Sequence, residues 1–77
     1  MTNEEREKHL SLIGKSYVSK TAKRKDICTV VDCHFTFNAA NELVKVRYVS
    51  EHELLGQKIR DNDVVAVTIL RNEIKPA

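Results

Sequence analysis

The segment ICTVVDCHFTF, residues 27–37, constrains the fold more than any other stretch of this chain. It is dominated by β-branched and aromatic residues, which fit the pleated surface of a sheet better than the crowded surface of a helix. Side chains alternate between the faces of a strand. Ile27, Thr29, Val31, Cys33, Phe35 and Phe37 therefore share one side, and Cys28, Val30, Asp32, His34 and Thr36 the other. The first set is the more apolar and is the expected core face. Residues 38–42 (NAANE) form a five-residue connection with two asparagines, which accept turn conformations. The chain returns as LVKVRYVS, residues 43–50, with Val44, Val46 and Tyr48 expected inward and Lys45 and Arg47 outward. A long hairpin over 27–50 is the predicted centre of the fold.

The flanking segments are read from the same rules. NEEREKHLSLI, residues 3–13, predicts a short helix. Thr2 and Glu5 have capping-box spacing, Glu4, Glu5 and Glu7 sit near the positive end of the helix dipole, and Leu10 and Ile13 share a face. Gly14 is a stop signal. KSYVS (15–19) predicts a short strand and KTAKRK (20–25) an exposed loop. EHELLG (51–56) fits either a helical turn or an irregular edge strand, and residues 57–60 add a short strand. Asp61-Asn62-Asp63 reads as a turn, and VVAVTILR (64–71) as a strand buried on both faces. The tail NEIKPA is expected to fray.

The expected class is mainly β (α+β): a short N-terminal helix followed by a small four- to five-stranded antiparallel SH3-like barrel or curled sheet. With no repeat, linker or low-complexity tract, one domain is expected over 1–77, with the helix at 1–13, the β core at 15–71 and a tail at 72–77.

Seventy-seven residues lie near the lower limit for a single core folding unaided, so a homodimer is an expected source of added stability. A hydrophobic content of 42% with a net charge of +2 excludes a disordered chain. MTNEEREKHL is acidic and lacks the apolar stretch of a secretory signal, and the run 64–70 is far short of the roughly 20 residues a spanning helix needs. Two cysteines are too few for a disulfide-stapled secreted fold, and strict alternation sends Cys28 and Cys33 to opposite faces. A cytoplasmic protein with reduced thiols and no membrane association is the expectation.

The same alternation bears on chemistry. Structural zinc takes four converging ligands, whereas Cys28, Cys33 and His34 diverge along a regular strand, so neither metal nor cofactor is expected. Asp32-Cys33-His34 holds the residue types of an activated nucleophile, yet neighbours on a strand cannot converge; an approach of His52 to Cys28 or Cys33 through the fold stays open. Asp61 and Asp63 resemble the start of a calcium loop but lack its glycine and terminal glutamate. Gly14 and Gly56 are isolated, which leaves no phosphate-binding loop. No catalytic residue is expected.

Charge placement carries more information. Lys15, Lys20, Lys23, Arg24 and Lys25 fall in residues 15–25, and all 11 acidic residues lie elsewhere. Lys45 and Arg47 extend this basic set if the sheet brings their face beside the loop. Such a patch would bind phosphate backbones in a salt-dependent way, with Tyr17 or Phe37 adding base stacking if exposed. Glu4, Glu5, Glu7, Glu51 and Glu53 oppose nucleic acid, and an acidic helix beside a basic loop suits protein docking, including head-to-tail self-association.

From residue 14 to 71, GKSYVSKT, TFNAANELVKVRYVS and GQKIRDNDVVAVTILR resemble small accessory proteins of bacteriophage and plasmid genomes. The resemblance lies in strand and turn patterns and implies a mobile-element origin and a barrel-like β fold. The strand order is also similar to SH3-like and KOW-like barrels, which bind nucleic acid, RNA polymerase or ribosomal partners, although the glycine of a KOW turn is missing. Two functions follow as expectations. The first is a non-enzymatic module docking on a host or phage protein as a modulator or inhibitor. The second is a nucleic-acid-binding protein using Lys20, Lys23, Arg24, Lys25, Lys45 and Arg47.

Overall fold

The computed structural model describes residues 2–21 and 24–74, with side chains left out at 20, 21, 24 and 25. The fold is mainly β. Helix α1 (Asn3–Leu10) precedes strands β1 (Ser16–Thr21), β2 (Arg24–Phe37), β3 (Leu43–Leu54) and β4 (Gln57–Val64), and helix α2 (Ala66–Arg71) follows. The strands form one antiparallel sheet in the order β1-β2-β3-β4. It is an open sheet, with both helices against one face. Among the described residues no helix is long and apolar enough to cross a membrane.

Helix α1 starts as its sequence predicts: the Thr2 hydroxyl accepts from the Glu5 amide at 3.2 Å. It ends at Leu10, three residues early, because the next amides turn tightly. Ile13 donates to the Leu10 carbonyl at 3.0 Å and Lys15 to that of Leu12 at 3.1 Å. Gly14 closes the turn at φ +95°. Leu12 is thereby buried in place of Ile13, which is exposed.

The central hairpin exists, but its core face changes partway along β2. Val30 pairs with Ser50 and Asp32 with Val49, so Val31 is an extra residue, a β-bulge. Cys28 and Val30 (1% exposed) face the core before the bulge, and Cys33 and Phe35 face it afterwards. The expected inward set is therefore right only beyond Val31: Ile27 is 66% exposed. Cys28 and Cys33 consequently share a face, contrary to the alternation argument. Five strand residues still hold them about 15 Å apart, beyond disulfide reach, and both are free thiols. A second irregularity makes Val44 the extra residue opposite Thr36 and Phe37, which explains why it is exposed rather than inward. The Asn38 side chain organises the connecting turn, its oxygen accepting from the amides of Ala40 (3.0 Å) and Glu42 (2.9 Å).

Three further expectations are corrected. Asp61-Asn62-Asp63 is a bulge inside β4 and not a turn: Ser50 pairs with Asp61 and Tyr48 with Val64, and Asp61 accepts from the Asp63 amide at 3.0 Å. Residues 64–71 are not a doubly buried strand. Val64 ends β4, and α2 then places Ala66 and Ile69 inward while Val65, Val67 and Leu70 are exposed. A short apolar run satisfies both periods, and here the helical one buries the sheet's open end. The start of the tail is ordered: Val18 donates to the Asn72 carbonyl (3.0 Å) and Ile74 to that of Ser16 (2.9 Å), covering part of the outer edge of β1. Lys15 and Glu73 add an ion pair at 2.7 Å. Residues 75–77 lie outside the described set.

The core between sheet and helices comprises Leu12, Tyr17, Cys28, Val30, Cys33, Tyr48, Val64 and Ile69. Its polar atoms are paired. Tyr17 and Ser50 share a 2.8 Å hydrogen bond, and the Tyr48 hydroxyl donates to the His9 carbonyl at 3.1 Å, which ties α1 to the sheet.

Candidate functional site

The predicted basic patch is the natural starting point. Lys45 and Arg47 do lie on the uncovered face of the sheet, but Asp63 in the β4 bulge reaches both. Its Oδ1 is 3.3 Å from Arg47 Nε and 3.8 Å from Lys45 Nζ. On the same face Arg60 meets Glu51 at 2.7 Å, and that contact holds the Glu51 carboxyl below its ordinary range. The face is thus a mosaic of paired charges. Lys23 and the side chains of Lys20, Arg24 and Lys25 lie outside the described residues. Residues 20, 21, 24 and 25 are paired strand and not the expected exposed loop, because β1 and β2 continue their ladder to Thr21 and Arg24. This backbone fixes the geometry: Lys20 pairs with Lys25, whereas Arg47 pairs with His34 and Lys45 with Thr36. Nine residues of β2 separate Lys25 from His34, about 30 Å. The sheet does not bring Lys45 and Arg47 beside the basic end of β1 and β2. Of the two proposed stacking residues, Tyr17 is buried against Ser50 and Phe37 is part-exposed at the far end of β2.

The sulfur and imidazole groups are dispersed. Burial pushes both the Cys28 and Cys33 thiols up, which keeps them protonated and weakly nucleophilic. His9 stacks edge-on to Phe35 at 5.8 Å from α1, His34 pairs with Asp32 at 3.5 Å on the uncovered face, and His52 lies 4.0 Å from Asp26. Among the described residues no three of His, Cys, Asp and Glu gather to hold a metal.

Two features were not foreseen. The first is the β3–β4 connection. Leu54 pairs with Gln57, so only Leu55 and Gly56 turn the chain, at φ +52° and +78°. Two positive φ values are the type I′ arrangement, which favours Asn-Gly. Here its first position is a leucine that is 96% exposed. Residues 51–54 are therefore strand, which resolves the ambiguity of EHELLG. Gly56 between two alternating segments was the sequence signal for this turn, and Leu55 concealed it. The second feature is a groove of ≈ 590 Å³ between α1 and α2, lined by Glu5, Lys8, Leu12, Ala66 and Leu70 over Tyr48. The sequence does not mark it, because residues 66–71 suit a strand as well as the helix that forms one wall.

No protein-family model matches the chain, and neither a curated protein nor a solved structure shows significant similarity to it.

Proposed function

We propose that this chain is a small non-enzymatic module that docks on another protein through the tip of its β3–β4 hairpin. The observation that carries this reading is Leu55, 96% exposed at a positive φ. A left-handed backbone costs a non-glycine residue about 1–2 kcal/mol, and an exposed leucine forgoes about 1.5–3 kcal/mol of burial. Leu55 thus stabilises nothing within its own fold, and such local conflicts concentrate where a chain meets something else. Ile27, Glu53 and Lys58 line the adjoining uncovered face and give the tip an apolar and charged surround. The resemblance to phage and plasmid accessory proteins makes a host or phage protein in the cytoplasm the partner of this reading. The protonated, buried thiols support its non-enzymatic character.

Leu55→Asn separates fold from function, because Asn accepts the left-handed position. The variant is expected to be more stable by about 0.5–1 kcal/mol in urea melts and to lose the partner that wild-type protein captures from bacterial lysate. Equal capture by the two proteins would sink the reading. Nucleic-acid binding is tested separately, by titrating generic DNA and RNA at about 50 mM salt. With Lys45 and Arg47 held by Asp63 and distant from the basic end of β1 and β2, no saturable binding is expected. Micromolar affinity that falls steeply with salt, and is lost on combining Lys23→Ala, Arg24→Ala and Lys25→Ala, would replace docking with the nucleic-acid reading.

A further inference from the structure

Two features that the folded chain leaves unused are complementary to each other. One is the hairpin tip, where Leu55 projects beyond the cross-strand pair Glu53 and Lys58, both exposed. The other is the α1–α2 groove, whose apolar walls are Leu12, Ala66 and Leu70 and whose rim carries Glu5 and Lys8. Its volume, ≈ 590 Å³, lies within the range of about 300–1,000 Å³ typical of pockets that take a ligand group. Among the described residues Glu5, Lys8 and Glu53 make no ion pair. Lys15, also at the groove, is held by Glu73, and His9 is held by Tyr48. The rim is left with one charge of each sign, and the tip carries Glu53 beside Lys58, a cation that also neighbours Glu51.

The tip cannot enter the groove of its own molecule. Tyr48 is the groove floor, and six further residues of β3, paired with β4 from Ser50 to Leu54, carry the chain about 20 Å away to Leu54.

We propose that the groove receives Leu55 of a second copy, joining molecules head to tail. This rests on the reading of the tip as a docking element. The isobutyl group fills the apolar gap between Leu12, Ala66 and Leu70, Glu53 meets Lys8, and Lys58 meets Glu5. The contact is heterologous, since it uses a different surface on each molecule. Each added copy leaves one tip and one groove free, so association continues past the dimer. A single hairpin tip buries much less than the roughly 1,200 Å² of a stable interface, which places the dissociation constant on the order of 100 µM.

Sedimentation velocity across about 10 µM to 1 mM tests this, bracketing that constant. Wild-type protein is expected to pass from the 8.8 kDa monomer to an average mass at least twofold higher, with the rise reduced by salt. Leu55→Asn, which lacks the knob, and Leu70→Glu, which charges the groove wall, each stay monomeric. Both positions are exposed, and thermal melts check that each variant folds. Mixed in equal amounts, the two variants have one working tip and one working groove between them. They are expected to form a dimer of one copy each that grows no further. A wild-type protein that stays monomeric throughout, or a Leu55→Asn protein that associates like wild type, overturns the proposal. If wild type is monomeric and Leu55→Asn still loses the captured partner protein, self-association is wrong and the docking reading stands. If capture is also unchanged, both fall.

Discussion

Replacing Ile69 by Ala is expected to lower the unfolding free energy by about 2–4 kcal/mol, the cost of emptying a fully buried aliphatic site. Ile69 is 0% exposed and is the one residue of α2 buried in the core cluster. A core of this size supplies only about 3–5 kcal/mol net, so a sizeable part of the chain should unfold without denaturant. Val67→Ala, on the exposed side of the same helix, should change stability by no more than about 0.5 kcal/mol. Urea melts of both variants distinguish the helix from the strand read in the sequence. A strand buried on both faces would place residues 67 and 69 on the same side and make both substitutions costly. Comparable losses would therefore contradict the placement of α2.

Alkaline pH is expected to remove about 2–3 kcal/mol of stability by pH 12 through one buried phenol. Burial beneath α1, with Cys33 beside it, pushes Tyr48 up to about 12 from 10.0. Below pH 10 the phenol keeps its proton in both folded and unfolded chains, and its contribution to stability is whole. Between pH 10 and 12 the unfolded chain ionises and the folded chain does not, so the balance shifts toward unfolding. Tyr17, Cys28 and Cys33 are raised mainly by burial as well and act in the same direction. Urea midpoints near neutral pH and at about pH 11 measure the effect, and Tyr48→Phe should flatten it at a cost of about 1 kcal/mol for the lost bond to His9. A tyrosinate absorbance titration showing both tyrosines ionising at ordinary values in folded protein would refute this account.

The hairpin was legible because its residues favour one state at every level. β-branched content marks the strands, and asparagines mark the turn that Asn38 and Asn41 make, the latter at φ +61°. The cap on α1 was legible for the same reason, since Thr2 and Glu5 interact across three residues. What escaped notice depends on tertiary choice. VVAVTILR suits two periods, and the need to close the sheet's end selects between them. Leu55 stands where turn chemistry predicts Asn, so a two-residue connection looked like none. The core face of β2 was half legible because a bulge leaves no mark in a run such as Thr29-Val30-Val31, apolar or β-branched throughout.

The basic set shows a different limit. Lys45 and Arg47 were placed on the correct face, because alternation resumes beyond the bulges. Whether they join the basic residues of 20–25 depends on strand register, which counts residues between distant positions and is fixed by the whole hairpin. That register separates them and sets Asp63 beside Arg47.

Val31 has a consequence for how this strand tolerates change in length. It acts as a phase shift in a pattern of period two: upstream of it even-numbered residues face the core, downstream odd-numbered ones do. Deleting that one residue would restore a regular ladder and keep both halves of the strand in place, with Cys28 and Val30 on the same face as Cys33 and Phe35. Deleting its neighbour Asp32 as well would turn one half of a regular strand inside out, exchanging Cys28 and Val30 for Ile27 and Thr29. Tolerance along β2 is therefore governed by parity more than by the identity of any side chain at the bulge.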